Sequence, residues 1–122
     1  MGELQIKRAY DDFTAEDGKR VLVDRLWPRG IKKETLALDL WEKSIAPTNE
    51  LRKEFNHIPE KYPWFKDHYR QEIEANAIYP TFLAQIKGWL QTENVTLIYG
   101  AKDEIHNQAV VLQERLLEDL KK

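Results

Sequence analysis

Cysteine is absent from this 122-residue chain. That removes a disulfide scaffold, a thiolate nucleophile and a thiolate metal site together. Serine is nearly absent as well. Ser44 stands alone in Glu42-Lys43-Ser44-Ile45-Ala46-Pro47, without the glycines of a nucleophile elbow, which speaks against a serine hydrolase. Glycine and proline number five each and are dispersed. They form neither a glycine-rich phosphate loop nor an interdomain linker. The three histidines are scattered, with no His-Glu-x-x-His pattern, and no metal site is expected. No window approaches the roughly 18 apolar residues of a membrane span. The opening Met1-Gly2-Glu3-Leu4-Gln5-Ile6-Lys7 has neither the apolar core of a signal peptide nor a hydroxyl residue at position 6 for myristoylation. The expectation is a soluble, cytoplasmic protein without a membrane partner. An excess of positive charge is lacking too. Acidic residues number 21 against 19 basic, for a net charge of −2, which argues against a generally basic nucleic-acid binder and leaves room for a local basic patch.

What is present suits one domain spanning residues 1–122. Hydrophobic residues make up 42%, and four Trp, five Tyr and four Phe add bulk to a core. Leu4 to Tyr10 roughly alternates apolar and polar, as a half-buried strand does. Val21-Leu22-Val23 and Val95-Thr96-Leu97-Ile98-Tyr99 are continuous apolar, β-branched-rich runs that suit strands covered on both faces. Between them the pattern is helical. Leu36, Leu40 and Trp41 suggest a short helix. Thr48 caps a second, carrying Leu51 and Phe55. Ile58, Tyr62, Phe65, Tyr69 and Ile73 form an amphipathic stripe, with Pro59 or Pro63 in its first turn. Pro80 opens a helix with Leu83, Ile86 and Leu90 on one face. Asp103 is expected to cap the last helix, whose buried stripe reads Ile105, Ala109, Leu112, Leu116 and Leu120. A long helical crossover between strands favours parallel pairing. The predicted fold is a small, single-domain α/β layered structure with a short, largely parallel sheet flanked by helices.

The chemistry concentrates where the two apolar runs end. The first leads into Asp24-Arg25-Leu26-Trp27-Pro28-Arg29-Gly30. The second leads into Gly100-Ala101-Lys102-Asp103-Glu104-Ile105-His106-Asn107. Ligands of open α/β sheets bind outside the carboxyl ends of strands, so parallel neighbours would bring both clusters to one pocket. A guanidinium fork matches phosphate or carboxylate. A helix N-terminus beyond Tyr99-Gly100 would favour the same anion. Arg25, Arg29 and Lys102 are the candidate anion ligands. Trp27 and Tyr99 would pack the remainder of the ligand. Asn107 would orient it beside His106, the candidate acid–base residue with Asp103 as its companion. The competing account makes Asp103 and Glu104 a helix cap, and Asp24 and Arg25 an ion-pair network around a core Trp27. His57 and His68 read as surface histidines, and Arg52 and Arg70 as surface residues unless a helix turns one inward.

Arg20 to Gly30 resembles the signature of the YeaO-like branch of the DUF488 family, a bacterial domain-of-unknown-function family. Ala46 to Lys53, Phe55 to Pro59, and Tyr99 with Ala101-Lys102-Asp103, His106-Asn107, Ala109 and Val110-Val111-Leu112 complete the resemblance, which spans nearly the whole chain. It implies an α/β fold and a cytosolic bacterial protein, adds weight to the two clusters as a shared site, and implies neither an activity nor a cofactor. Two functional expectations follow. One is a binding protein or acid–base enzyme for a small anionic ligand, with a nucleotide or a nucleic-acid end fitting the arginine–aromatic mixture. The other is a non-catalytic interaction module presenting Tyr62, Trp64, Phe65 and Tyr69.

Overall fold

The computed structural model describes residues 1–122. Four parallel strands form one sheet in the order β1 (Leu4–Arg8), β4 (Val95–Tyr99), β2 (Lys19–Leu22) and β3 (Leu40–Trp41). β4 holds the centre. Each of its five residues is buried, as a continuous apolar run requires of a parallel strand covered on both faces. It pairs with β1 from Leu4–Val95 to Arg8–Tyr99 and with β2 from Lys19–Val95 to Leu22–Ile98. The small parallel α/β domain expected from the sequence is the one observed.

The two faces of the sheet are covered unequally. Val21, Val23, Val95, Leu97 and Tyr99 point to one face and pack against four helices. These are α2 (Asn49–Phe55), α3 (Tyr62–Ala75), α4 (Tyr79–Leu90) and α5 (Gln108–Leu120). Leu22 and Ile98, one residue out of phase, point to the other face. The single turn α1 (Lys33–Leu36), Ala9, and Trp27, Ile31, Leu38 and Trp41 pack with them there.

Local chemistry explains where the helices begin and where the expected boundaries shift. Thr48 caps α2 by accepting the Leu51 amide at 3.2 Å. Asn107, rather than Asp103, caps α5 by accepting the Val110 amide at 3.1 Å. Ile105 therefore lies outside the helix and is 69% exposed. The stripe of α3 begins at Tyr62, because Pro59 opens a separate tight turn over Pro59–Lys61 and leaves Ile58 outside. In α4, Tyr79 and Phe82 join Ile86 and Leu90 on the buried face, with Leu83 at its margin.

The short helix expected around Leu36, Leu40 and Trp41 divides into α1 and the strand β3. Ala37 takes a left-handed conformation (φ 49°, ψ 55°) that ends α1 after one turn. Asp39 then draws the chain against β2. Its amide donates to the Arg20 carbonyl (2.8 Å) and its carboxylate accepts the Arg20 amide (2.9 Å).

The thinner face holds a buried ion pair. Arg20 is 1% exposed. Its Nη1 meets Asp17 Oδ2 at 2.5 Å and its Nε donates to the Leu36 carbonyl at 2.9 Å. Lys7 Nζ reaches the other Asp17 oxygen at 2.8 Å. Burial opposes ionisation of Asp17. The Lys7 ammonium, the Thr14 amide and hydroxyl and the Arg20 guanidinium outweigh it and hold the carboxyl below its ordinary value. Gly18 follows at φ +64°, and a Cβ there would collide with the Asn94 carbonyl, so the turn into β2 requires glycine. Removing one partner of a buried pair strands the other charge. Asp17→Ala is expected to lower unfolding free energy by about 3–5 kcal/mol, measured by urea denaturation. A loss below about 1 kcal/mol, the scale of an exposed pair, would show that Arg20 finds other compensation.

Candidate functional site

Because β2 and β4 are parallel neighbours, the segments leaving them emerge at the same end of the sheet. Asp24, Arg25 and Leu26 from the first segment, and Gly100 and Ala101 from the second, line one cavity of about 190 Å³. Ala46 and Pro47 close one side, Arg52, Phe55 and His57 come from α2 and its exit, and Phe65 and Gln108 come from α3 and α5. The convergence of the two strand ends read from the sequence is present, with a different set of side chains around it.

Asp24 ties the two strand ends together. Its Oδ2 accepts the Gly100 amide at 2.8 Å, and its Oδ1 accepts the Gln108 side-chain amide. The close backbone approach at Gly100 thus serves Asp24. A Cβ on Gly100 would lie 3.1 Å from Asp24 Oδ2. Removal from water pushes the Asp24 carboxyl up to about 6, although the Gly100 amide, the Arg52 guanidinium and Gln108 all favour the charged form. No ion pair joins Asp24 to Arg25. Arg25 instead donates Nε to the Pro47 carbonyl (3.0 Å) and Nη2 to the Ala46 carbonyl (3.1 Å). That anchors its guanidinium at the cavity wall without neutralising it.

Arg52 carries the one buried side-chain nitrogen or oxygen that lacks a hydrogen-bond partner. Its Nη2 donates to Asn49 at 3.2 Å, while its buried Nε has no partner. An orphaned buried donor carries a desolvation cost unless something accepts from it. At the exit of α2, Asn56 and His57 both adopt left-handed backbone conformations, with φ of 48° and 57°. Asn and His tolerate that region better than most residues, and the turn brings His57 to the cavity.

Of the candidate ligands read from the sequence, only Arg25 lines this cavity. Tyr99 is in the core, 2% exposed, and burial pushes its hydroxyl up. Trp27 lies on the opposite face of the sheet, donating Nε1 to the Ile31 carbonyl at 2.7 Å and packing edge-on to Trp41 at 5.4 Å. Arg29 and Lys102 are exposed and outside the lining.

Asp103, His106 and Asn107 form a separate local turn. The Asp103 carboxylate accepts the amides of Ile105 and His106, both at 2.9 Å, and meets His106 Nδ1 at 2.8 Å. The His106 amide, then the Ile105 amide, then the His106 ring hold it down to about 2. Asp103 thereby takes up amides of the loop ahead of α5, whose own N-terminus is capped by Asn107, and a carboxylate this acidic is a poor proton carrier near neutrality. The His106 ring packs edge-on to Tyr62 at 5.1 Å, and the buried Asn107 side chain serves as a helix cap.

Arg52, His57 and Gln108 were not among the candidates. The available signal for Arg52 was its place beside Leu51 on the capped helix, within a segment that carries the family resemblance. His57 shares that resemblance, lying within Phe55 to Pro59, but its place at the cavity follows from a left-handed turn; Gln108 had no signal, since its place follows from the start of α5. The aromatic band is mostly core. Phe65 and Tyr69 are buried, the latter donating its hydroxyl to the Ile45 carbonyl at 2.6 Å, and Trp64 lies against His68 at the surface. No helix is long and apolar enough to cross a membrane.

The fold and the cavity define a small parallel α/β domain with a strand-end pocket. Residues 3–122 match a family described as the inactive DUF488-N3 subclade, and the chain belongs to that family. It is 44% identical over 113 residues to the uncharacterized protein YeaO of Escherichia coli K12, covering 93% of this chain and 96% of that protein. Uncharacterized proteins of Mycobacterium tuberculosis (Rv3073c) and Mycobacterium bovis (Mb3100c) are each 34% identical over 113 residues, covering 93% of this chain and 92% of theirs. No solved structure matches the chain.

The raised Asp24 carboxyl has a consequence for stability. The unfolded chain releases this proton near 3.8 and the folded chain near 6, so the folded state binds more protons between those values. Stability should fall as pH rises from about 4 to about 6, by roughly 1.4 kcal/mol per unit of displacement, and this contribution levels off above. Asp24→Asn keeps an acceptor for the Gly100 amide and removes the titration. Its Tm, measured by calorimetry across pH 4–8, should lose that slope and exceed wild type at pH 8. An unchanged slope would mean that Asp24 is ionised throughout.

Proposed function

We propose that this protein binds a small anionic ligand at the carboxyl ends of β2 and β4, without catalysing a reaction on it. The observation that carries this reading is the pair Arg25 and Arg52. Their guanidiniums share one cavity, neither pairs with a carboxylate, and Arg52 Nε is buried with nothing to accept from it. Leaving charge and donors unpaired in a half-closed cavity costs stability. A ligand carboxylate or phosphate would recover that cost through charge-assisted bonds to the guanidiniums.

Several features favour binding over catalysis. The cavity has no thiol or hydroxyl nucleophile among its lining residues, and the family description, an inactive subclade, supports the same view. The His106–Asp103 pair lies outside the lining, with its carboxylate consumed by its own turn. An interaction role for the aromatic middle has less support, since Phe65 and Tyr69 belong to the core.

A thermal-shift panel of small carboxylates, inorganic phosphate, phosphate esters and nucleotides tests the reading on wild type, Arg25→Gln and Arg52→Gln. At least one anion should raise Tm in wild type, by the equivalent of about 2.7 kcal/mol at a hundredfold excess over Kd. The shift should be reduced or absent in both variants. If no anion stabilises wild type even at high millimolar concentration, the binding reading fails.

A further inference from the structure

The ligand class follows from the size, lining and donor inventory of the cavity, given the binding role argued above. We propose that this site takes a small monocarboxylic acid with a compact apolar body, of about the dimensions of benzoate or a short branched-chain acid, in preference to a phosphate ester or nucleotide.

Three observations carry it. The first is volume. The cavity measures about 190 Å³, a little more than the roughly 150 Å³ that holds one benzene. It falls below the roughly 300–1,000 Å³ of pockets for larger ligands. A nucleoside with its phosphate would not be enclosed.

The second is the lining. Leu26, Ala46, Pro47, Phe55, Phe65 and Ala101 make the walls largely apolar. Phe55 and Phe65, stacked at 4.4 Å and 20° and nearly buried, back these walls rigidly, while Leu26 at the rim, 60% exposed, offers apolar surface that an organic body would remove from water. An inorganic anion, or an acid as short as acetate, would leave that surface without a partner.

The third is charge and hydrogen bonding. Two guanidiniums and the ionised Asp24 carboxylate give the cavity a formal charge of +1, which one carboxylate neutralises. A phosphate dianion would bring a second negative charge into the same small space as Asp24, and like charges at close range repel. Arg25 has already given Nε and Nη2 to carbonyls, and Arg52 has given Nη2 to Asn49. Arg25 Nη1, with Arg52 Nε and Nη1, keeps N–H groups free for both oxygens of a carboxylate.

The test is isothermal titration of the full chain at pH 7.5 with benzoate, 3-methylbutanoate, acetate, benzamide, inorganic phosphate and AMP. Benzoate or 3-methylbutanoate should bind at least tenfold more tightly than acetate, phosphate or AMP. Benzamide, of the same shape without the charge, should bind at least tenfold more weakly than benzoate. Arg52→Gln should lower the affinity for the preferred acid at least tenfold, while Leu26→Ala, at the exposed rim, tests the apolar contact independently by an expected severalfold loss. Phosphate or AMP binding more tightly than the carboxylates would overturn this proposal and leave the anion site standing. Benzamide matching benzoate would overturn the carboxylate assignment. Silence from every anion would overturn both.

Discussion

The parallel pairing of β2 with β4 decides where the polar groups of this protein can meet. In a parallel pair both chains leave the sheet at the same end, so Asp24 and Gly100 become neighbours although 76 residues separate them. The hydrogen bond from the Gly100 amide to the Asp24 carboxylate fastens the two exits to each other. Gln108 adds the start of α5 to the same carboxylate. The cavity is what remains between these exits and the helices on the thicker side of the sheet. Had the two strands run antiparallel, the clusters would lie at opposite ends of the molecule and no shared site could form.

The molecule carries two quite different arginine environments, and the contrast explains which is structural. Arg20, on the thin face, is matched by Asp17, the Leu36 carbonyl and the Asp39 contact to its own amide. None of its fully buried nitrogens is left without a partner. Arg25 and Arg52, on the other side, touch only neutral acceptors, and one buried nitrogen touches none. A charge held by backbone carbonyls keeps its position and its positive potential. The single carboxyl in the lining, Asp24, is raised by burial to about 6, so at neutral pH it is ionised and offsets only one of the two guanidiniums. Fixed, incompletely paired positive charge beside stacked phenylalanine rings is an arrangement suited to an amphipathic acid rather than to folding stability.

Much of the fold could be read in advance because it rests on local periodicity. The apolar runs at Val21 and Val95, the Thr48 cap and the stripe from Tyr62 to Ile73 are patterns that short-range sterics and burial impose. The departures have equally local causes that sequence spacing does not display. Ala37 turns left-handed and frees Leu40 and Trp41 to pair as a strand. Asp103 closes a turn of its own and passes the capping of α5 to Asn107. Each reflects competition between two acceptable hydrogen-bonding patterns, decided by contacts with distant residues.

The sequence alone determined the class of fold, the absence of thiol and serine-elbow chemistry, and the strand ends as the place where charged residues gather, because composition and period follow from residue identity. Tertiary structure decided which of those residues share a cavity. Trp27 and Tyr99 sit at plausible positions along the chain. Strand alternation and packing send one to the far face and the other into the core. Arg52 and His57 come from a helix and a turn distant in sequence, and they reach the strand ends because α2 packs over that end of the sheet. Proximity in space depends on how elements pack across long loops, and no local pattern encodes it.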